Sequence, residues 1–113
     1  MRFRTALAAA LGAFALVVTV PGSASAAEGH FEYLYTGFDG ETEVGLLVNP
    51  DSRECITLRE VAGEYVPPAD APRNRTDASA TVFTGAHCEG DYYTLRPGGS
   101  ASRRLKLRSV VFS

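Results

Sequence analysis

The last third of the chain, Ala80 to Ser113, reads ATVFTGAHCEGDYYTLRPGGSASRRLKLRSVVFS, and it decides the fold. Ala80 to Phe83, Tyr92 to Leu95 and Leu105 to Phe112 are short apolar or aromatic runs. Gly85, Gly90 and Pro97-Gly98-Gly99 separate them. Runs this short, rich in Val, Tyr, Phe and Thr and bounded by turn residues, are strands. None is long enough to carry a helical apolar stripe.

Upstream the pattern repeats. Phe31, Tyr33 and Tyr35 alternate with Glu32 and Leu34, and Val44 to Val48 is an apolar run closed by Asn49-Pro50-Asp51-Ser52. Proline presets φ in such a turn, and Asn or Asp bonds its own backbone. Cys55 to Leu58 is extended again. About six strands with no room for crossover helices predict an antiparallel β-sandwich. The two halves also echo one another. Tyr35-Thr36-Gly37 before Gly40-Glu41 matches Phe83-Thr84-Gly85 before Gly90-Asp91, Thr57-Leu58-Arg59 matches Thr94-Leu95-Arg96, and Thr81-Val82-Phe83 matches Val110-Val111-Phe112. Three echoes in consistent order suggest a duplicated β unit.

The N-terminus reads as an export leader. Arg2 and Arg4 precede an apolar run from Ala6 to Val20, and Ala24-Ser25-Ala26 is a small-x-small cleavage motif. A run of 15 residues falls short of the ~20 a helical membrane span needs. Residues 1–26 are therefore expected to be a signal peptide, leaving an extracellular domain at 27–113 with no membrane span. At 87 residues it is one domain with a marginal core. Cys55 and Cys88 are its only cysteines, and in an exported small domain they are expected to form a disulfide.

Charge is unevenly spread. Residues 28–64 hold nine acids and two bases, whereas residues 92–113 hold five bases and no acid. Arg103, Arg104, Lys106 and Arg108 could form an anion-binding strip for a polyanion or membrane surface. The plainer reading is that the basic end pairs with the acidic half of its own domain. A net charge of −4 after leader removal argues against nucleic acid as a partner.

From Ala80 to Ser113 the chain resembles one Greek-key motif of the βγ-crystallin superfamily. Thr81-Val82-Phe83 leads into a folded hairpin, Cys88-Glu89-Gly90 stands where the family has an aromatic, a spacer and a glycine, and Ser109 resembles the serine that bonds back across that hairpin. The resemblance implies a Greek-key sandwich. Among its relatives are small secreted proteins such as streptomycete metalloproteinase inhibitors and killer-toxin-like proteins. The Arg-rich, Lys-poor composition and Ala-rich leader fit an actinobacterial host. There the sequon at Asn74-Arg75-Thr76 carries no meaning. The family's calcium loops would fall at Asn74–Ser79 and Arg104–Ser109. The first keeps Asn74 and Ser79 but has Arg75 at a ligand position, and three cations crowd the second, so neither is expected to hold calcium. No metal or other cofactor is expected, although Asp39, Glu41 and Glu43 could coordinate weakly.

Catalysis is not expected. His30 lies near a terminus, His87 adjoins a cysteine held in a disulfide, and no Gly-x-Ser-x-Gly elbow occurs. The segment Val66-Pro67-Pro68-Ala69-Asp70-Ala71-Pro72-Arg73 stands out. Its three prolines forbid a central strand and predict a stiff exposed loop inside the ring closed by Cys55 and Cys88. Such a loop is either a connector or the inhibitory loop of a protease inhibitor.

The expectations are therefore a small secreted, non-catalytic binding or structural module. Protease inhibition is the alternative, and an antimicrobial or toxin-like role the second. A monomer is expected, with a secreted protease or cell-envelope component as the partner. The expected core is Tyr33, Tyr35, Leu46, Val48, Ile56, Leu58, Val82, Phe83, Tyr93, Leu95, Leu105, Leu107, Val111 and Phe112.

Overall fold

The computed structural model describes residues 26–113; the leader lies outside the described residues apart from Ala26. Eight strands follow in order: β1 Gly29–Thr36, β2 Thr42–Val48, β3 Cys55–Thr57, β4 Ala69–Thr76, β5 Ala80–Phe83, β6 Tyr92–Leu95, β7 Lys106–Leu107 and β8 Ser109–Phe112. Single 3₁₀ turns occupy Arg59–Val61 and Ala86–Cys88. The strands form two four-stranded antiparallel sheets, ordered β2-β1-β4-β7 and β3-β8-β5-β6. Cys55 and Cys88 are joined in a disulfide.

The two halves exchange a strand. β7, from the C-terminal half, pairs with β4 through Ala69–Leu107 and Asp70–Lys106. β3, from the N-terminal half, pairs with β8 through Cys55–Val111, Ile56–Val110 and Thr57–Ser109. Each sheet thus takes three strands from one half and one from the other. Only the first of the three sequence echoes falls on equivalent places: Tyr35-Thr36-Gly37 ends β1 as Phe83-Thr84-Gly85 ends β5. Thr57-Leu58 closes the third strand of its half but Thr94-Leu95 the second, and β5 and β8 are paired neighbours.

The core lies between the sheets. Phe31 of β1 meets Phe112 of β8 edge to face, with ring centroids 5.4 Å apart. Tyr33, Leu58, Val61, Val82, Leu95, Leu107 and Val110 close around them, all buried. Of the expected core, Tyr35, Ile56, Phe83, Leu105 and Val111 are only partly covered. Leu46, Val48 and Tyr93 are exposed by 52%, 63% and 53%. The reason in β2 is parity. Its apolar run has no alternation to read, and the structure turns Gly45 and Leu47 inward and Val44, Leu46 and Val48 outward. Gly45 faces Tyr33 across the strand pair, and a methyl group there would overlap the Tyr33 ring.

The proline-rich segment is corrected. Only Val66, Pro67 and Pro68 precede β4. Ala69, Asp70, Ala71, Pro72 and Arg73 belong to it, between β1 and β7, with Ala69, Asp70 and Pro72 buried. A bulge makes room for the proline. Glu32 opposes Arg73 and Leu34 opposes Asp70, so β4 spends one residue more than β1 over this stretch. Ala71 takes the left-handed conformation there, φ +51°. At a bulge the ladder is already interrupted, and the missing proline N–H costs little. The Pro72 carbonyl still accepts from Ala101 N–H at 3.0 Å.

At the N-terminal edge Ala27 is buried, and its N–H donates to the Pro50 carbonyl at 2.9 Å. Among the described residues no helix is long and apolar enough to cross a membrane.

Candidate functional site

The row of inward side chains on β1 runs out of the core. From Phe31 it passes to Tyr33, 6.1 Å away between centroids, and to Tyr35, a further 6.3 Å. Phe31 and Tyr33 are sealed, but Tyr35 reaches the end of the sandwich and floors an open cleft.

One wall is the β1–β2 hairpin. Gly37 N–H donates to the Glu41 carbonyl at 2.8 Å, and Gly40, at φ +82°, donates to the Gly37 carbonyl at 3.0 Å. Asp39 Oδ1 accepts from Glu41 N–H at 3.0 Å. This tight turn leaves Phe38 fully exposed at its tip, and Glu43 follows at the start of β2. The opposite wall is the segment after β3, where the Arg59–Val61 turn leads into a loop carrying Tyr65, 94% exposed. That loop has no regular structure of its own. Arg108 holds it: Nη1 donates to the carbonyls of Val61 and Gly63 at 2.9 and 2.8 Å, and Nη2 to that of Val66 at 2.8 Å. Five rigid N–H donors on a planar group suit such a carbonyl cage.

The cleft between these walls has a volume of about 560 Å³, in the range of small-ligand sites. Tyr35, Phe38, Glu43, Arg59, Glu60 and Tyr65 line it, closed at one side by Val66 and Pro67. Glu60 is fixed from beneath, its Oε1 accepting from Tyr33 Oη at 2.7 Å. Burial, then the Glu60 carboxylate, holds the Tyr33 phenol far above its usual range. Loss of solvent, then Glu43 and Glu60, pushes Tyr35 upward too. Tyr35 therefore lines the cleft as a neutral hydroxyl beside Glu43 and Glu60, while Tyr33 lies sealed beneath it.

The structure separates the residues singled out in the sequence. The members of the basic strip have different contacts. Arg103 Nε and Lys106 Nζ reach Asp70 at 3.2 and 3.4 Å, and Arg108 turns to the carbonyl cage; Arg104 is exposed. The Asn74 sequon and the first calcium-type loop are occupied by structure. Asn74 is fully buried, its Nδ2 donating to the carbonyls of Ala78, Leu95 and Arg96, and its Oδ1 accepting from Thr76 N–H and Oγ1. In the second loop Ser109 Oγ donates to the Gly85 carbonyl at 2.6 Å and accepts from Cys88 N–H at 2.8 Å. Of the acidic trio, Glu43 alone lines the cleft, while Asp39 caps the turn. Among the described residues no three His, Cys, Asp or Glu side chains converge as a metal-ligand set.

Phe38, Arg59, Glu60 and Tyr65 were not singled out by sequence. The signal was an aromatic in each of two turn segments, Gly37-Phe38-Asp39-Gly40 and Gly63-Glu64-Tyr65, where burial has no purchase. Compared with protein families, curated proteins and solved structures, the chain matches none.

Proposed function

We propose that this chain is a secreted, non-catalytic binding module of βγ-crystallin-like fold, and that it binds through the cleft between Phe38 and Tyr65. The observation that carries this reading is the pair of fully exposed aromatic residues, Phe38 and Tyr65, on the two walls of one open cleft. Leaving such rings in water forgoes about 2 kcal/mol of burial each, a cost that a partner's surface would recover. The crystallin-type reading draws on the exchanged strands β3 and β7 and on Ser109, which bonds back across the Gly85–Gly90 hairpin as the family serine does. Gly90 there takes φ +93°, and a Cβ would press on Thr84 Oγ1, so the hairpin needs glycine. Export rests on the leader.

The alternative, protease inhibition through residues 66–73, has less support, because Ala69 to Arg73 lie in strand β4 with Ala69, Asp70 and Pro72 buried, and only Val66, Pro67 and Pro68 remain as loop. The toxin-like reading has less support, because Arg103 and Lys106 share Asp70 and Arg108 is held by backbone carbonyls.

The test is co-sedimentation of the oxidised protein with isolated cell walls, alone and loaded with their native surface proteins. Wild-type protein is expected to pellet with one of these, and the Phe38→Ser, Tyr65→Ser double variant to stay in solution with an unchanged melting temperature. Pelleting that ignores both substitutions would remove the cleft from the account.

A further inference from the structure

We infer that the cleft receives the cationic side chain of a polypeptide, a lysine or arginine seated among Tyr35, Phe38 and Tyr65 and neutralised by Glu43 and Glu60. The inference rests on the binding reading above and names its ligand. Three observations point the same way. First, aromatic faces attract cations, and the attraction grows as water is excluded. Tyr35, Phe38 and Tyr65 all line one cleft, so its walls offer aromatic surface to an entering cation. Second, Glu43 and Glu60 line the cleft together with Tyr35, and after loss of solvent they add to the upward push on its phenol, so carboxylate charge lies beside that ring. Third, the two walls are acidic beyond the cleft. Residues 38–43 and 59–67 together hold five acids, Asp39, Glu41, Glu43, Glu60 and Glu64, against the single base Arg59. That field draws a cation from solution and repels an anion.

A neutral sugar would gain ring contacts but nothing from the charge. A free amine would meet the charge but leave most of a 560 Å³ cleft unfilled. A basic residue within a chain fills both roles. Its methylenes lie on the rings, its charge meets Glu43 and Glu60, and its flanking backbone lies along Val66 and Pro67. Arg59 lines the same cleft, so a second adjacent cation is disfavoured. The preferred segment carries an isolated Lys or Arg among neutral or acidic neighbours.

The experiment follows ring resonances of Tyr35, Phe38 and Tyr65 while the oxidised full-length chain is titrated with acetyl-Gly-Lys-Gly-amide. Parallel titrations use the norleucine peptide, which keeps the methylenes without the charge, butylamine, and a neutral oligosaccharide. Saturable shifts confined to the cleft are expected with the lysine peptide, at concentrations about tenfold below those of the norleucine peptide. Glu43→Gln and Glu60→Gln should each weaken binding by about threefold or more, and added salt should weaken it further. Equal binding by the norleucine peptide or the sugar would overturn the cation while leaving the binding module intact. Butylamine binding as tightly as the peptide would overturn the polypeptide. Cleft rings unmoved by every probe at millimolar concentration would overturn the inference outright. Glu60 also anchors Tyr33, so Glu43→Gln is the cleaner variant, with melting temperature as the control for folding.

Discussion

Tyr33 shows how much one residue can determine. Its ring seals the core over Gly45, and its hydroxyl positions Glu60 at the cleft. In the unfolded chain this phenol ionises near its ordinary value of about 10; in the fold it stays protonated well above that. The unfolded state therefore releases its proton first. Stability is intact below pH ~10 and falls as pH rises beyond it. Urea unfolding from pH 8 to 11 should show this decline, and Tyr33→Phe should flatten it while lowering stability near neutrality by about 1 kcal/mol. Gly45→Ala is expected to lower stability by about 2 kcal/mol or more, since its methyl must displace a ring packed on both sides. Ala71 holds the bulge in the left-handed region. There Ala71→Val should cost about 2 kcal/mol and Ala71→Gly little or nothing, by thermal melts of each. Such residues were partly legible. The alternation of Phe31, Tyr33 and Tyr35 marked one face of β1, but the expected core left out Phe31, and the partner that makes room for a ring is a glycine across the sheet. No local pattern announces that.

Among the elements, the strands were the most readable feature and their sides the least. Turn residues at Gly37, Gly40, Asn49-Pro50, Gly85, Gly90 and Pro97-Gly98 marked the strand ends. Val44 to Val48 could not say which parity faced inward, and the prolines hid β4 altogether, because a bulge is a property of two paired strands rather than of one. The segment of residues 62–68 is the opposite case: it has no regular structure, and its shape comes from Arg108, 40 or more positions away in sequence. Arg108→Met removes three hydrogen bonds from a cation to carbonyls. It should lower stability by about 2–3 kcal/mol and increase hydrogen exchange at Val66 in particular. A second consequence should be weaker ligand binding with both cleft carboxylates still present. Retention of full affinity in a destabilised but folded Arg108→Met would show that the loop needs no clasp.

At the scale of the whole molecule, the exchanged strands make the halves interdependent. Neither sheet is complete without a strand from the other half, and Cys55 lies on the exchanged strand β3 while Cys88 lies in the hairpin of the half that receives it. The disulfide closes a span of 33 residues, worth about 3–4 kcal/mol of unfolded-chain entropy. Reduction should lower stability by that amount, with β3 the first strand to lose exchange protection. Identical melting of oxidised and reduced protein would exclude this role. Sequence reading anticipated the disulfide and two antiparallel sheets, because composition and punctuation encode both. It could not anticipate the cleft, whose exposed aromatics Phe38 and Tyr65 lie far apart in the chain and come together only once β1, β2 and β3 are placed.

The seat of Ala27 bears on timing. If the leader is cut after Ala26, the bond to be hydrolysed lies beside a buried residue whose N–H is already bonded to Pro50. A peptidase must pair with an extended backbone on both sides of that bond, and in the fold Ala26 is already bridged to Asp51. On that premise processing would precede closure of this edge, and an exported chain would cross the membrane still open around Asn49 to Ser52. A precursor that folded too soon would keep its leader, and the same contact that secures the mature N-terminus would protect it from removal.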